Sequence, residues 1–426
     1  MELKREDFLA QYPPLYFLNK ADVANIWDKE EIHLYVHIPY CAKKCGFCYY
    51  KSFPIGNAPI PDEYFEALKT EIEIYANMPE VQSKCLRSIY LGGGTPTLLS
   101  EKQIETLMML IKSKFNFAVD YEFCSEARPG QETSLEKLRL LKALGMKRLS
   151  VGCQSTDDFV LESNGRNHNS KDFMDVFERA RQTGIYCINV DIMSGMVNQS
   201  LESWLETVKT ISDLKPENIA IYKLEIYLNN ALYARYRKGN VRLISDAAEV
   251  EYARQGYGML LDSGYRMADN FSFMLAPEYD HVHRREVWKG ADMLGVGLSS
   301  HSCFNDYIYQ NEPKLDDYME RLKRNELPVQ RAHKITAREE LIQRMVFGIK
   351  NLFFERAKFL EEFGVDVMDV FPEQLTSLEK QGFISIYPDH IRTSFEGAIF
   401  ADDIVREFYM PEHRKTMLAH VKRPEN

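Results

Sequence analysis

The sequence predicts an α/β fold, an open partial (β/α)6 barrel over residues 31–310, followed by a smaller helical C-terminal domain of winged-helix-like character over 311–426. Three observations predict it. From residue 31 short apolar runs alternate with longer amphipathic stretches, the pattern of βα units around a parallel sheet. Six such runs occur, too few to close an eight-stranded barrel. At 426 residues the chain also exceeds the size at which a single core stops growing, so a second domain is expected.

Strands are expected in HLYVHI, SIYLGG, YEFCSE, RLSVG, INVDIM and NIAIYKLE. Between them YFEALKTEIEIYA, EKQIETLMMLIKSKF, SLEKLRLLKALG, DFMDVFERARQTG and LESWLETVKTISDL repeat their apolar positions at helical spacing. Gly145 and Gly184 stand where helix C-caps belong. After about residue 310 the strand pattern gives way to charged helical sequence, KLDDYMERLKRNELP, then further helices and a short hairpin, FISIYPDHIRTS. Residues 1–30 form an N-terminal arm.

Composition narrows the function classes. A hydrophobic fraction of 45% with 27% charged residues is ordinary for a folded soluble protein. A net charge of −10 argues against holding DNA or RNA through its phosphates. The start, MELKREDFLAQYPP, mixes both charge signs and lacks an apolar core segment, and no run approaches 18 apolar residues, so neither a signal peptide nor an integral membrane segment is expected. Eight cysteines in a chain of this length fit a reducing cytoplasm better than a disulfide framework.

Three of those cysteines, Cys41, Cys45 and Cys48, fall within HIPYCAKKCGFCYY. A four-iron cluster that only carries electrons takes four thiolates, so three leave one iron open to a small molecule. Structural zinc closes its shell with four ligands, and no second pair follows at zinc-site spacing. Three coincidental core thiols would not sit among Lys43, Lys44 and Gly46. A second motif, Gly92, Gly93, Gly94, Thr95 and Pro96, links a strand to a helix and lets a ligand approach the backbone.

The C-x3-C-x2-C spacing after a strand resembles the signature of the radical S-adenosylmethionine (radical SAM) superfamily, and the GGGTP turn resembles its SAM-binding turn. The resemblance implies a [4Fe-4S] cluster whose open iron binds SAM, an anaerobic chemistry that starts from a deoxyadenosyl radical, and a flavodoxin- or ferredoxin-type electron donor. Further positions resemble the oxygen-independent coproporphyrinogen III oxidase branch. By that resemblance Tyr35 approaches SAM, Glu126 in SEARP holds its amino group, and Gln154, Arg166 and Asp191 hold a second SAM molecule. Tyr50 stands where the oxidase pattern has a further cysteine, which counts against coproporphyrinogen decarboxylation.

Within the branch the runs CGFCYY, LESNGRNH, INVDIMSGMVNQSLESW, IAIYKLEIYLNN and VWKGADMLGVG resemble class C radical SAM methyltransferases and cyclopropanases. That resemblance implies a transferase using two SAM molecules to methylate or cyclopropanate an sp2 carbon of a small, hydrophobic, unsaturated substrate. A general base is then needed, and Tyr35, Tyr222, Glu225, His301 and His168 are its candidates. Two other readings share the branch: an anaerobic heme-degrading methyltransferase, and a heme chaperone that binds and delivers without catalysis.

Overall fold

The computed structural model describes residues 11–18, 29–56, 58–227, 230–304 and 306–420, so most of the expected N-terminal arm lies outside the described residues. Six parallel strands follow one another in sheet order: β1 (Glu31–Ile38), β2 (Cys85–Gly93), β3 (Asn116–Ala127), β4 (Arg148–Gln154), β5 (Cys187–Ser194) and β6 (Asn218–Lys223). Each expected strand run lies on one of them, with the LE of NIAIYKLE falling beyond β6. Their buried Ile, Val and Leu side chains pack under the helices between them, including α1 (Asp62–Ala76), α2 (Glu101–Lys114), α3 (Leu135–Ala143), α4 (Asp158–Ser163), α5 (Ser170–Thr183) and α6 (Leu201–Asp213). Helix starts are set by side-chain caps: Ser100 accepts from the Gln103 amide, Ser134 from Lys137, Asn169 from Asp172 and Ser200 from Ser203.

The sheet then grows beyond the six strands, and β1 to β6 do not close into a barrel. On the β6 side lie two short antiparallel strands, β7 (Arg266–Met267) and β8 (Ser272–Met274), with β8 against β6. On the β1 side β9 (Asp292–Val296) pairs in parallel, and β10 (His301–Phe304), β11 (Tyr307–Asn311) and β12 (Val329–Lys334) continue antiparallel to a total of 12 strands. The strand pattern therefore runs past residue 310. β12 escapes a sequence reading because VQRAHK is a half-buried edge strand with little apolar character.

The C-terminal part holds the expected hairpin, Ile384–Ile386 paired with His390–Thr393, in a three-stranded sheet with Phe353–Glu355. A buried Lys350–Asp402 pair at 2.6 Å holds this part together internally, and Arg254, which donates to both carboxylate oxygens of Glu396 at 2.9 Å, ties it to the rest. Among the described residues no helix is long and apolar enough to cross a membrane.

Candidate functional site

The cluster loop leaves β1, and its first cysteine belongs to a two-residue bridge, Tyr40–Cys41 with Phe53–Pro54. Other elements grip the loop from outside. The Gly46 amide donates to the Asn164 carbonyl at 3.1 Å, the Leu232 amide to the Gly46 carbonyl at 2.8 Å, and Asn230 Nδ2 to the Phe47 carbonyl at 3.0 Å. The three thiols are partly buried and unbridged. Burial pushes the Cys48 thiol up to about 11 and raises Cys41 as well, so thiolates here need positive partners. One partner is in place, since Arg166 Nη1 donates to Cys45 Sγ at 3.1 Å and its Nη2 to the Gly152 carbonyl at 2.5 Å.

The glycine turn ends β2 beside this loop. Gly94 and Thr95 amides donate to the Ile38 and Tyr40 carbonyls at 2.7 and 2.8 Å, tying the turn to the cluster loop. A Cβ on Gly94 would meet the Tyr40 oxygen at 2.4 Å, and Gly93, at φ +105°, would meet the His37 ring at 2.5 Å. Close approach of the chain to itself thus demands these glycines, beside any demand a ligand makes.

Glu126 ends β3 within reach of the turn. Its carboxylate accepts from Tyr90 Oη at 2.7 Å and from the Gly93 amide at 3.0 Å. Burial, assisted by nearby Asp191 and partly offset by those two bonds, pushes it up to about 7, so a cation placed there would be needed to hold it ionised. Asp191 on β5 accepts from Ser150 Oγ at 2.9 Å and Asn189 Nδ2 at 2.8 Å, and burial lifts it to about 6.

Gln154 closes β4 in a left-handed conformation, φ +69°, beside a register shift against β5. A non-glycine residue held there marks a strained strand end. Its Oε1 and Arg166 Nε are buried without hydrogen-bond partners, the donor-and-acceptor pair expected of a wall that receives a polar ligand. The residues present therefore fit both a cluster on the three cysteines and SAM beside it.

The candidate bases are placed differently. Tyr35 lies over Tyr90 with ring centroids 5.9 Å apart and shares a 2.9 Å hydrogen bond with His37 Nδ1. Tyr222 packs on Phe271 at 5.1 Å, and burial raises its hydroxyl far above the usual range. His301 is half-buried and pushed down to about 4 by desolvation, hence neutral. His168 is pushed to about 3 by burial and by Arg166, and bonds the Cys153 carbonyl at 3.1 Å, which makes it a brace for the Arg166 turn. Glu225 is buried just beyond β6. The turn of Asn198 and Gln199 is internal bracing: Gln199 bonds the Met196 amide at 3.2 Å and the Met193 carbonyl at 3.1 Å.

A sequence reading missed an aromatic face at the cluster loop. Tyr49 stacks on Tyr50 at 4.2 Å and meets Tyr227 at 4.3 Å, with Tyr49 and Tyr50 44% and 46% exposed. The doublet of tyrosines after Cys48 was the only local signal of it.

The model of the radical SAM superfamily matches residues 35–211. The chain is 29% identical to the heme chaperone HemW of Bacillus subtilis over 376 residues, covering 88% of this chain and 98% of that protein. It is 30% identical to HemW of Haemophilus influenzae over 275 residues, 63% of this chain and 70% of that protein. Among solved structures the Escherichia coli coproporphyrinogen III oxidase HemN, described as a radical SAM enzyme, superposes with a TM-score of 0.80 at 24% identity, covering 94% of this chain and 96% of that one.

These relatives overturn the C-methyltransferase expectation, and with it the transferase reaction on a small unsaturated carbon. They are named as a heme chaperone and an oxidase. The misleading runs have a structural reason: CGFCYY is the cluster loop, LESNGRNH the turn that grips it, and INVDIMSG mostly β5. Such segments position a cofactor and do not choose the reaction.

Proposed function

We propose that this chain, which belongs to the radical SAM superfamily and within it to the branch of the heme chaperone and the oxygen-independent coproporphyrinogen III oxidase, is a heme-binding and heme-delivering protein of the reducing cytoplasm. A [4Fe-4S] cluster and SAM are its cofactors, as for the superfamily. When bound, the cluster supplies one-electron reduction of SAM, and an external reductant of flavodoxin or ferredoxin type is the proposed source of the electron.

Cys41, Cys45 and Cys48 would hold the cluster, with Arg166 neutralising charge at Cys45. Glu126 would take the SAM ammonium, and the Gly92–Thr95 turn would line the cofactor. Gln154, Arg166 and Asp191 form the proposed polar wall for a second SAM molecule. Tyr35, with the neutral His37 beside it, orders the floor of the same space.

The observation that carries the heme reading is Tyr50. It occupies the place of the oxidase pattern's further cysteine, and its ring joins Tyr49 and Tyr227 in an exposed aromatic face next to Cys48. Stacked tyrosines offer a flat macrocycle a broad π surface, and large aromatic rings exposed together mark a contact site. The test is an anaerobic titration of cluster-loaded protein with heme. A Soret shift saturating near one heme per chain supports the reading, and the double variant Tyr49→Ala/Tyr50→Ala should weaken it about tenfold or more, from the loss of aromatic stacking. Unchanged heme affinity in that variant removes the aromatic face from the account.

A further inference from the structure

The inner wall of the sheet is ordered in rows by its register. His33, Ser88 and Glu122 share the lowest of these rows, and Tyr35, Tyr90, Cys124, Arg148 and Cys187 share the next. Glu126 stands one row higher, at the cofactor level, so Cys124 lies about 7 Å and Glu122 about 13 Å below it along β3. His281, at the cap position of the helix Val282–Trp288, packs against this wall with its ring 5.6 Å from that of Tyr90.

We propose that Glu122, Cys124 and His281 form a site for one divalent transition-metal ion of the zinc class, separate from the cluster loop. Their ligand atoms lie within 4.8 Å of one another, with His281 Nε2 3.8 Å from Cys124 Sγ and 3.9 Å from a Glu122 oxygen. A tetrahedral zinc ion, with bonds of about 2.3 Å to sulfur and about 2.0 Å to nitrogen or oxygen, holds its S and N about 3.5 Å apart and its N and O about 3.3 Å apart. Closing by about 0.3 Å for the His281–Cys124 pair and about 0.6 Å for the His281–Glu122 pair brings those two distances to the tetrahedral values, with the Cys124 and Glu122 ligand atoms within 4.8 Å of each other. Thiolate, imidazole and carboxylate are the donors zinc takes, and three of them leave a fourth position for water.

The surroundings suit a dication. Cys124 and Glu122 are 1% and 7% exposed, and a thiolate with a carboxylate balance two positive charges. The second Glu122 oxygen faces Arg148 Nε at 3.5 Å, and that nitrogen is buried with no aligned hydrogen bond, so the carboxylate is held in place but not saturated. The same carboxylate receives the His283 amide at 3.2 Å, which fixes its orientation toward His281.

The test uses the full chain with its cluster reconstituted, so that the loop cysteines are occupied by iron. After dialysis against stoichiometric zinc, metal analysis should find about one zinc per chain, and zinc-edge X-ray absorption should show one sulfur and three nitrogen or oxygen neighbours. Cys124→Ser should remove the sulfur shell while zinc stays bound, and His281→Ala should lower occupancy about tenfold or more. Zinc at trace level in the unsubstituted holoprotein overturns the proposal, and that outcome needs no variant to fold. A sulfur shell that survives Cys124→Ser, or one of three or four sulfurs, overturns it equally by placing the zinc elsewhere.

Discussion

Glu126→Gln tests whether the acid at the end of β3 is the group that receives the SAM ammonium. The carboxylate accepts two hydrogen bonds, from Tyr90 and from the Gly93 amide, and is buried enough to sit near pH 7. A neutral amide replaces a charge-assisted bond worth about 1.5–3 kcal/mol, which predicts SAM binding weaker by about 10- to 150-fold. The pH dependence provides a second, independent signature. Protonation at about 7 competes with the ammonium, so the dissociation constant of the unsubstituted protein should fall as pH rises and level off above about 7. Below that point it should rise about tenfold per pH unit. The Gln variant should be flat over the same range. Anaerobic equilibrium binding of SAM to cluster-loaded protein between pH 5.5 and 8.5 (about one pH unit or more either side of that value) reads both effects. A pH-flat affinity in the unsubstituted protein, or a change under about twofold in Glu126→Gln, refutes the assignment.

Replacing any one of Cys41, Cys45 or Cys48 by alanine should abolish the four-iron cluster, read as iron content and visible absorbance after anaerobic reconstitution. Gly94→Ala should disrupt the junction of turn and loop, because its Cβ would lie 2.4 Å from the Tyr40 oxygen; cluster yield and SAM binding should fall while far-UV circular dichroism is kept. Glu339 is held down at about 2, against the raising effect of its burial, by His413, His333 and the Thr336 cap. Its contribution to stability is present above its unfolded value of about 4.5 and is lost as pH falls toward 2, so Glu339→Gln should shrink the loss of thermal stability in acid. Lys350→Met should destabilise by about 3–5 kcal/mol in denaturant unfolding, since it strands Asp402 without its buried partner cation, and Lys350→Met/Asp402→Leu should recover part of that loss.

The six central strands were legible because each carries a short, largely buried apolar run between helices of regular period. The same signal fails at the sheet margin: β12, VQRAHK, pairs only through β11 and keeps polar side chains along its length. The cluster loop was legible from cysteine spacing alone. Arg166 was expected at the site through a resemblance, yet its bond to Cys45 spans 121 positions and no local pattern encodes it. The same holds for His281, which meets Cys124 from 157 positions away, and for Tyr227 on Tyr49. The reaction was the least legible level. Loop, turn and strand-end residues point to the cofactor held, while none of the runs around them encodes the choice among chaperone, oxidase and methyltransferase.

The central claim, heme delivery by a radical SAM protein, is tested most directly by one transfer experiment. Cluster-loaded protein charged with heme is mixed with an apo heme-binding acceptor under anaerobic, reducing conditions with SAM present, and the acceptor's Soret spectrum is followed alongside product analysis. The account predicts stoichiometric transfer of intact heme, with neither S-adenosylhomocysteine nor decarboxylated porphyrin formed. Heme that stays unbound, or turnover of a porphyrin substrate coupled to SAM consumption, would contradict it.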